Sequence, residues 1–366
     1  MKYVLLTFLT ISVLGSIRAQ QLPKGTPVGS KWVISVAFNA KDSQIVTVFK
    51  DNKTANVWDA QTDKLLYTLR GHTNSIISAS YNATGSQIVT SSSDSTARIW
   101  DARTGELIHT LQGHNSSVNS AAYNNTGSQI VTASTRGGAK IWDASTGALL
   151  KTLEHKGSVR SAQYNTTGTQ IVTAAADSKT RIWDARSGEL LHTLEGHTTW
   201  VESAVYNATG SQIVTASWDG TAKVWDVETG KLLHSLRHPP QVNSAHFNAT
   251  GNQIVTASRN STVKIWDAFT GKLLKVLRGH YFEIESGVNN VKVIRPPRRN
   301  YTHLMRGSGR RGIISATYNA KGNYIISTGT DFRTIIWDVQ TRKPLIFLYF
   351  CQPIGREDKI NRIDFN

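Results

Sequence analysis

The sequence predicts an all-β protein built from repeated antiparallel sheets. Trp-Asp pairs recur along the chain at a nearly constant spacing and begin at Trp58, Trp100, Trp142, Trp183, Trp225, Trp266 and Trp337. The first five intervals between them are 41 or 42 residues, and the last is 71. A fixed period of this length indicates a repeat architecture, which has to be recognised before any local pattern is interpreted.

Each period contains four short strand patterns separated by turns. In the fifth period these patterns are VESAVYN at 201–207, SQIVTAS at 211–217, TAKVWDV at 221–227 and KLLHSL at 231–236. Asn, Asp and Gly stand between them and helical periodicity is almost absent, so each period predicts one four-stranded antiparallel sheet. A single such sheet cannot bury both of its faces, whereas radial packing of several sheets buries them and protects most edges.

The Trp-Asp pairs, with Gly-His upstream of most of them, resemble the WD-repeat (β-transducin repeat) family of β-propellers. The resemblance covers nearly the whole chain after the N-terminal segment. It implies a seven-bladed β-propeller of four-stranded antiparallel sheets over residues 31–351.

In that family, hydrogen bonds among an imidazole, a strand hydroxyl, a carboxylate and the Trp indole fix each blade. By position, the resemblance gives these structural roles to His72, Asp94 and Trp100 in blade two, His155, Asp177 and Trp183 in blade four, His197, Asp219 and Trp225 in blade five, and His280, Asp331 and Trp337 in blade seven. The hydroxyl would be Thr173 in blade four and Ser327 in blade seven. In blade two the hydroxyl would be that of Thr90 or Ser92, and in blade five that of Thr215 or Ser217.

Three blades depart from this pattern. Arg136 and Asn260 stand where blades three and six should carry Asp, and Gly29 stands where the first His should be. We expect blades one, three and six to be less rigid at that corner, because a fully satisfied polar network helps to specify the native arrangement.

Sets of His, Asp and Ser also suggest a catalytic triad, but they recur in blade after blade, as a structural device does. The sequence shows no metal-ligand spacing, phosphate-binding loop or nucleophile elbow. It therefore predicts no enzyme, no cofactor and no metal site. A propeller hydrolase of the lactonase type would need a central acidic metal site, and no cluster of Asp, Glu and His outside the repeats suggests one.

Composition gives the chain a strong positive charge. Its 366 residues include 41 Lys and Arg but only 25 Asp and Glu, for a formal charge of +16. Such a chain favours anionic partners, although a solubilising surface is the simpler alternative. The lone cysteine, Cys351, excludes an intramolecular disulfide and is expected to be a buried, inert thiol in its apolar context PLIFLYFC.

The N-terminal stretch MKYVLLTFLTISVLGSIRAQ predicts a secretory signal peptide over residues 1–19. A lysine is followed by an apolar run at 3–14, which is short for a bilayer span, and Ile-Arg-Ala at 17–19 offers a cleavage site. Residues 20–30 form an N-terminal segment before the propeller. We therefore expect a secreted or extracytoplasmic protein with no transmembrane segment, with a cytoplasmic location as the alternative.

An insertion at residues 281–311 makes the last interval about 29 residues longer than the others. Family geometry implies a loop on the top face, before blade seven. The candidate partner-binding cations there are Lys292, Arg295, Arg298, Arg299 and Arg306. This loop could bind an anionic surface or polymer, or it could be a solvent-exposed loop that binds no ligand.

Two tryptophans outside the Trp-Asp pairs fall on one blade. Trp200 precedes the first strand of blade five, and Trp218 precedes Asp219 in the same blade. Arg259 is the equivalent of Trp218 in blade six. The resemblance implies adjacent top-face corners for all three, which is typical of an interface hot spot. The alternative is that the indoles simply pack over neighbouring loops.

The turn between the first two strands repeats as Asn-x-Thr-Gly. Asn82, Asn124, Asn165, Asn207 and Asn248 are candidate glycosylation sites on the bottom face, and further sequons begin at Asn52, Asn115, Asn260 and Asn300. The alternative is a purely structural role, because Asn and Gly are the residues that tight turns need.

Residues 352–366 are predicted to form a C-terminal tail. Its end, INRIDFN at 360–366, aligns with VNSAAYN at 118–124, so it either closes the ring or remains from a longer array.

Together these features predict a non-catalytic protein-binding scaffold, secreted or envelope-associated, that presents the top face of the propeller to a protein partner. The alternative is an intracellular WD-repeat subunit of a multiprotein complex, whose N-terminus only mimics a signal peptide. Nucleic acid is not expected as a partner, because only the charge would support it.

Overall fold

The computed structural model describes residues 33–278 and 312–349, apart from 40–42, 60–61, 63, 319–321, 330–332 and 342. Seven four-stranded antiparallel sheets form a seven-bladed propeller, and the described residues contain no helix. The prediction of an all-β propeller is therefore confirmed. The signal peptide, the segment at 20–30, the insertion at 281–311 and the tail at 352–366 lie outside the described residues.

The strands are numbered in chain order, four to a blade. Blades one and two contain β1 Val33–Phe38, β2 Gln44–Phe49, β3 Ala55–Asp59, β4 Leu65–Leu69, β5 Ile76–Tyr81, β6 Gln87–Ser92, β7 Ala97–Asp101 and β8 Leu107–Leu111. Blades three and four contain β9 Val118–Tyr123, β10 Gln129–Ser134, β11 Ala139–Asp143, β12 Leu149–Leu153, β13 Val159–Tyr164, β14 Gln170–Ala175, β15 Thr180–Asp184 and β16 Leu190–Leu194. Blades five to seven contain β17 Val201–Tyr206, β18 Gln212–Ser217, β19 Thr221–Asp226, β20 Leu232–Arg237, β21 Val242–Phe247, β22 Gln253–Ser258, β23 Thr262–Asp267, β24 Leu273–Arg278, β25 Ile313–Tyr318, β26 Tyr324–Gly329, β27 Arg333–Asp338 and β28 Pro344–Tyr349.

Strand order within each blade follows chain order. First strands of successive blades contact one another from β1 through to β25, so the first strand is innermost and the fourth is outermost. Because neighbouring strands are antiparallel, the turns after first and third strands share one face, which we call the bottom. The turns after second strands and the links between blades share the opposite face, which we call the top.

Hydrophobic packing between blades forms the core. Between blades four and five, Val172 and Leu194 of blade four pack with Val201 and Trp225 of blade five, and all four side chains are buried. Comparable clusters join the other successive pairs from blade one to blade seven. Each fully buried Val or Leu contributes roughly 1.5–3 kcal/mol. A blade is therefore stabilised mainly by its neighbours.

Serine side chains on the inner strands add polar links between blades. The Oγ atom of Ser35 accepts a hydrogen bond from the backbone N–H of Ala79, one blade further on, at 3.2 Å. Ser120 accepts in the same way from Ala162, and Ser244 from Ala316. These bonds satisfy backbone donors on the inner strands, where a buried and unpaired N–H would be costly.

The outer strands carry the largest exposed aliphatic side chains. Each of the first six fourth strands begins with two of them, such as Leu190 and Leu191, which are 49% and 42% exposed. Blades pack on one another through their inner strands and the last leucine of the fourth strand, such as Leu194, so the two aliphatic side chains that begin the fourth strand remain in contact with solvent.

Candidate functional site

One hydrogen bond recurs in all seven blades. The indole Nε1–H of each Trp-Asp tryptophan donates to a hydroxyl on the second strand of the same blade, over 2.8–2.9 Å. The acceptors are Thr47, Thr90, Thr132, Thr173, Thr215, Thr256 and Ser327. Thr90 and Thr215 are therefore the hydroxyls used in blades two and five. Ser92 and Ser217 instead donate to carbonyls of the preceding link between blades.

Blades two and five contain the complete predicted network. In blade five, His197 lies 2.7 Å from Thr215 Oγ1 through Nε2 and 2.7 Å from Asp219 Oδ2 through Nδ1. In blade two, His72 makes the corresponding contacts with Thr90 and Asp94 at 2.8 and 2.7 Å. A neutral imidazole that donates from Nδ1 to the carboxylate and accepts the threonine hydroxyl at Nε2 satisfies every group in this chain.

Blade four differs from the prediction in one link. His155 accepts from Thr173 at Nε2, but its Nδ1 lies 2.8 Å from the carbonyl oxygen of Leu153 rather than near Asp177. Asp177 instead pairs with Arg181 at 2.6 Å. The carboxylate and the imidazole of this blade are therefore engaged separately.

A missing glycine accounts for this difference. Gly71, Gly113 and Gly196 precede the histidines of blades two, three and five with φ of 151–153°, a conformation that other L-residues rarely adopt. Blade four has Glu154 directly before His155, with one residue fewer in the link from the preceding strand. Blade six, with Arg237 before its histidine, lacks the glycine too.

In blade six the imidazole ring is reversed. His238 bonds to Thr256 through Nδ1 at 2.8 Å and to Thr262 through Nε2 at 2.7 Å. Thr262 in turn donates to Oδ1 of Asn260, the residue in the position of Asp. This substitute chain is fully satisfied. Blade three has no such substitute, because Arg136 offers no acceptor and Nδ1 of the buried His114 has no partner among the described residues.

Blade seven is described in part. Trp337 donates to Ser327 as predicted, whereas His280 and Asp331 lie outside the described residues, as does Gly29 of blade one. In the blades that are described, these networks lie between a second strand and the adjacent top-face turn. They join the top-face loops to the second strands.

The turn asparagines also act structurally. Asn165 is buried, its Oδ1 accepts from the backbone N–H groups of Thr169 and Gln170, and its Nδ2 donates to Thr169 Oγ1. Gly168 completes the turn with φ of 73°. Asn82, Asn124 and Asn207 are buried with equivalent bonds, and Asn248 is half-buried with similar ones. A glycan on Nδ2 would disturb these hydrogen bonds, whereas Asn115 on the top face is exposed.

Trp200, Trp218 and Arg259 form one cluster on the top face. The two indole rings lie 4.8 Å apart at 31°, and the Arg259 guanidinium is 5.9 Å from the Trp218 ring. Backbone bonds fix the loops beneath, since the N–H of Trp218 donates to the carbonyl of Trp200 and the N–H of Arg259 to that of Gln241. The structure thus brings together the three residues that the sequence placed on adjacent corners. We call them the tryptophan–arginine corner.

The two indoles of this corner differ in their exposure to solvent. Trp218 is half-buried and packs against its neighbours, and its Nε1–H is shielded from solvent without an acceptor among the described residues. An unsatisfied buried donor costs about 1–3 kcal/mol. Trp200 is 44% exposed, so one large apolar surface faces solvent.

Additional cations near this corner were not singled out from the sequence. Arg237 and Arg278 end the fourth strands of blades five and six at the top face, and Lys264 lies in the third strand of blade six. Gln241 accepts a hydrogen bond from the Arg259 guanidinium. Asn260 in the place of Asp was the available signal, because it removes a negative charge from this edge. The predicted insertion cations Lys292, Arg295, Arg298, Arg299 and Arg306 lie outside the described residues.

No group of three or more His, Cys, Asp and Glu side chains able to hold a metal ion occurs in the described ranges. In the same ranges, no helix is long and apolar enough to cross a membrane.

The sequence model of the family described as WD domain, G-beta repeat matches residues 63–101, 105–143, 147–184, 188–226 and 230–267. These five repeats account for more than half of the chain, and the chain therefore belongs to this WD-repeat family. Each match begins near the outer strand of one blade and ends with the third strand of the next. A comparison with curated proteins found no match.

Replacement of His197 by Ala should lower the free energy of unfolding by about 2–4 kcal/mol, because Asp219 would lose its buried partner. His155→Ala is the matched control and should cost about half as much, since its imidazole holds no carboxylate. Urea denaturation followed by tryptophan fluorescence measures both variants. Equal losses would show that the His–Asp link adds nothing to stability.

Acidification should destabilise the propeller before its carboxylates titrate. Burial lowers the pKa of His114 and His155 to about 4, and burial together with Lys264 lowers that of His238 to about 3. Unfolded imidazoles titrate near 6.5, so the unfolded state binds more protons below that pH and stability falls as pH decreases from about 6.5 to 4.

Carboxylate titration contributes only at lower pH. Burial alone would raise the pKa of Asp94, but hydrogen bonds from Thr96 and His72 outweigh it and lower the pKa to about 2. The stability that this group contributes is lost as pH falls from about 4 towards 2. Urea midpoints measured across this range should therefore decline already between about pH 6.5 and 4.5. A flat profile there would contradict the burial of neutral histidines.

Proposed function

We propose that this protein is a non-catalytic scaffold that binds a protein partner through the top face of its propeller. Membership of the WD-repeat family supports the general role, because such propellers typically mediate protein interactions. The tryptophan–arginine corner carries the specific assignment. Trp and Arg are enriched among the few clustered residues that carry most of the binding energy of protein interfaces.

The geometry of the corner suits this role. Trp218 and the fixed loops beneath it form a rigid support, so the exposed indole of Trp200 loses little conformational freedom when a partner covers it. Preorganised contacts of this kind give more of their interaction energy to affinity. The basic insertion at 281–311 follows Arg278 in the chain, and we propose that it adds contacts to an anionic part of the partner.

We further propose that the protein acts outside the cytoplasm, secreted or associated with an envelope. The signal-like residues 1–19 support this location. In a eukaryotic secretory route, glycosylation would follow at exposed sequons. Asn115 is the better acceptor there, because the turn asparagines use their side-chain nitrogen in hydrogen bonds. An intracellular complex subunit is the competing function.

Trp200→Ala should remove partner capture without unfolding the protein, because the indole is exposed and supports little of the core. Phe269→Ala is the matched control, since Phe269 is 68% exposed on the bottom face of blade six. Affinity capture with mass spectrometry should recover the same partner with the wild type and the Phe269 variant. We expect a loss of at least about tenfold for the Trp200 variant. Undiminished capture by a folded Trp200 variant would exclude the corner as the interface.

Cleavage of the signal peptide should leave a mature chain that begins at Gln20. N-terminal sequencing of protein from the extracytoplasmic fraction of its own cells checks this directly. An uncleaved chain confined to the cytosol would favour the intracellular alternative.

A further inference from the structure

Among the described residues, no carboxylate pairs with the cations at the top edge of blade six. Its cations are Arg259, Lys264 and Arg278, with Arg237 beside them at the end of blade five. In the described residues, none of these four side chains has an Asp or Glu oxygen within 4.0 Å. We call this group the blade-six cations.

The charge follows from one substitution in the repeat. In blade four, Asp177 lies four residues before Arg181 and pairs with it at 2.6 Å. Blade six has Asn260 in the place of that Asp, and Lys264 in the place of that Arg. Asn260 preserves the hydrogen bond from Thr262 but carries no charge, so among the described residues Lys264 has no counter-ion like that of Arg181.

Lys264 is held close to other positive groups. Its Nζ donates to the backbone carbonyl of Arg237 at 2.9 Å and lies 5.3 Å from the Trp266 ring. Burial and the charge of Arg278 both lower its pKa. Like charges gathered in this way repel one another, and an anion from outside would relieve that repulsion.

Arg259 is the member of this group that lies beside the indoles of the tryptophan–arginine corner. One Nη atom donates to Gln241 Oε1, and no other side-chain acceptor among the described residues binds the guanidinium. The half-buried guanidinium rests against Trp218, and Trp218 stacks on Trp200. A fixed cation and an apolar surface therefore lie side by side.

We propose that this corner binds an acidic peptide segment, in which a carboxylate pairs with Arg259 and a neighbouring apolar side chain packs on Trp200. This assignment rests on the proposed top-face function and specifies its ligand. Guanidinium groups bind carboxylates through paired, charge-assisted hydrogen bonds, and the partial burial of Arg259 strengthens such a contact.

A peptide fits the corner better than a polyanion does. On the blade-four side, Lys179 pairs with Glu195 and Arg181 with Asp177, so these two cations are already neutralised. A nucleic acid strand requires a track of cations and open aromatic faces for stacking. Here Trp218 is covered on one side by Trp200 and approached by Arg259.

Fluorescence anisotropy with short synthetic peptides tests the assignment. The probe alternates Asp or Glu with Leu, and its isosteric partner carries Asn and Gln in place of the acids. We expect the wild-type protein to bind the acidic probe at least about tenfold more tightly than the amide version. Equal binding of the two probes would overturn the proposal without depending on any protein variant.

A matched pair of variants localises the contact. Arg259→Gln should weaken binding of the acidic probe by about fivefold or more, because it removes the charge at the corner. Arg136→Gln removes the same charge from an exposed top-face position on blade three and should change binding by less than about twofold. Equal effects of the two variants would indicate only non-specific attraction.

Two further measurements separate this inference from the proposed function. Oligothymidylate should compete only weakly with the acidic probe. Strong competition that persists in the Trp200→Ala variant would show that the corner's ligand is a polyanion and not a peptide. If Trp200→Ala abolishes capture of the native partner while the acidic and amide probes bind alike, the top-face function stands and the acidic ligand is wrong. If Trp200→Ala leaves capture of the native partner intact, the corner is excluded as the interface of the proposed function, whichever probe binds more tightly.

Discussion

The hydrogen bond from each Trp-Asp tryptophan to a second-strand hydroxyl is the interaction on which the rest of the propeller depends. It joins residues on adjacent strands in every blade, eleven positions apart in blade one and ten in the other six. The same indole is packed against the preceding blade, as Trp225 is against Val172 and Leu194. In most blades the same hydroxyl also bonds to a histidine from the link between blades. One side-chain pair therefore fixes the strand register, the blade interface and the height of the top-face loop.

Departures from this arrangement have unequal consequences. Blade four divides the network into two separate pairs, and blade three leaves one buried nitrogen of His114 without a partner among the described residues. Blade six satisfies all of its hydrogen bonds with neutral groups and thereby loses the charge that would balance Lys264. Natural proteins often depart from the usual rules of local structure at functional sites. Blade six, one of the two blades with another residue in place of the Asp, is also the blade that completes the tryptophan–arginine corner.

The period, the strands and the number of blades could be predicted from the sequence, because turn residues and Trp-Asp pairs repeat in register. The choice between Thr90 and Ser92 could not be predicted, since the two residues lie two positions apart on the same side of the strand and both are buried. The orientation of His155 could have been anticipated from Glu154, which occupies the place where other blades use a left-handed glycine. The cations around Lys264 required the structure, because four residues from two blades meet there and only their surroundings reveal the missing counter-ion.

The matched sequence repeats and the structural blades are offset by one strand, and this offset affects how a chain of this kind can gain or lose blades. Each matched repeat contributes the outer strand of one blade and the three inner strands of the next, so every unit is tied to two blades. Duplication of one such unit would carry a complete junction between blades, with its histidine, its hydroxyl and its tryptophan. A newly copied segment would therefore already contain the residues that connect it to the adjacent blade. Recombination between near-identical copies would change the number of blades while leaving each junction chemically intact.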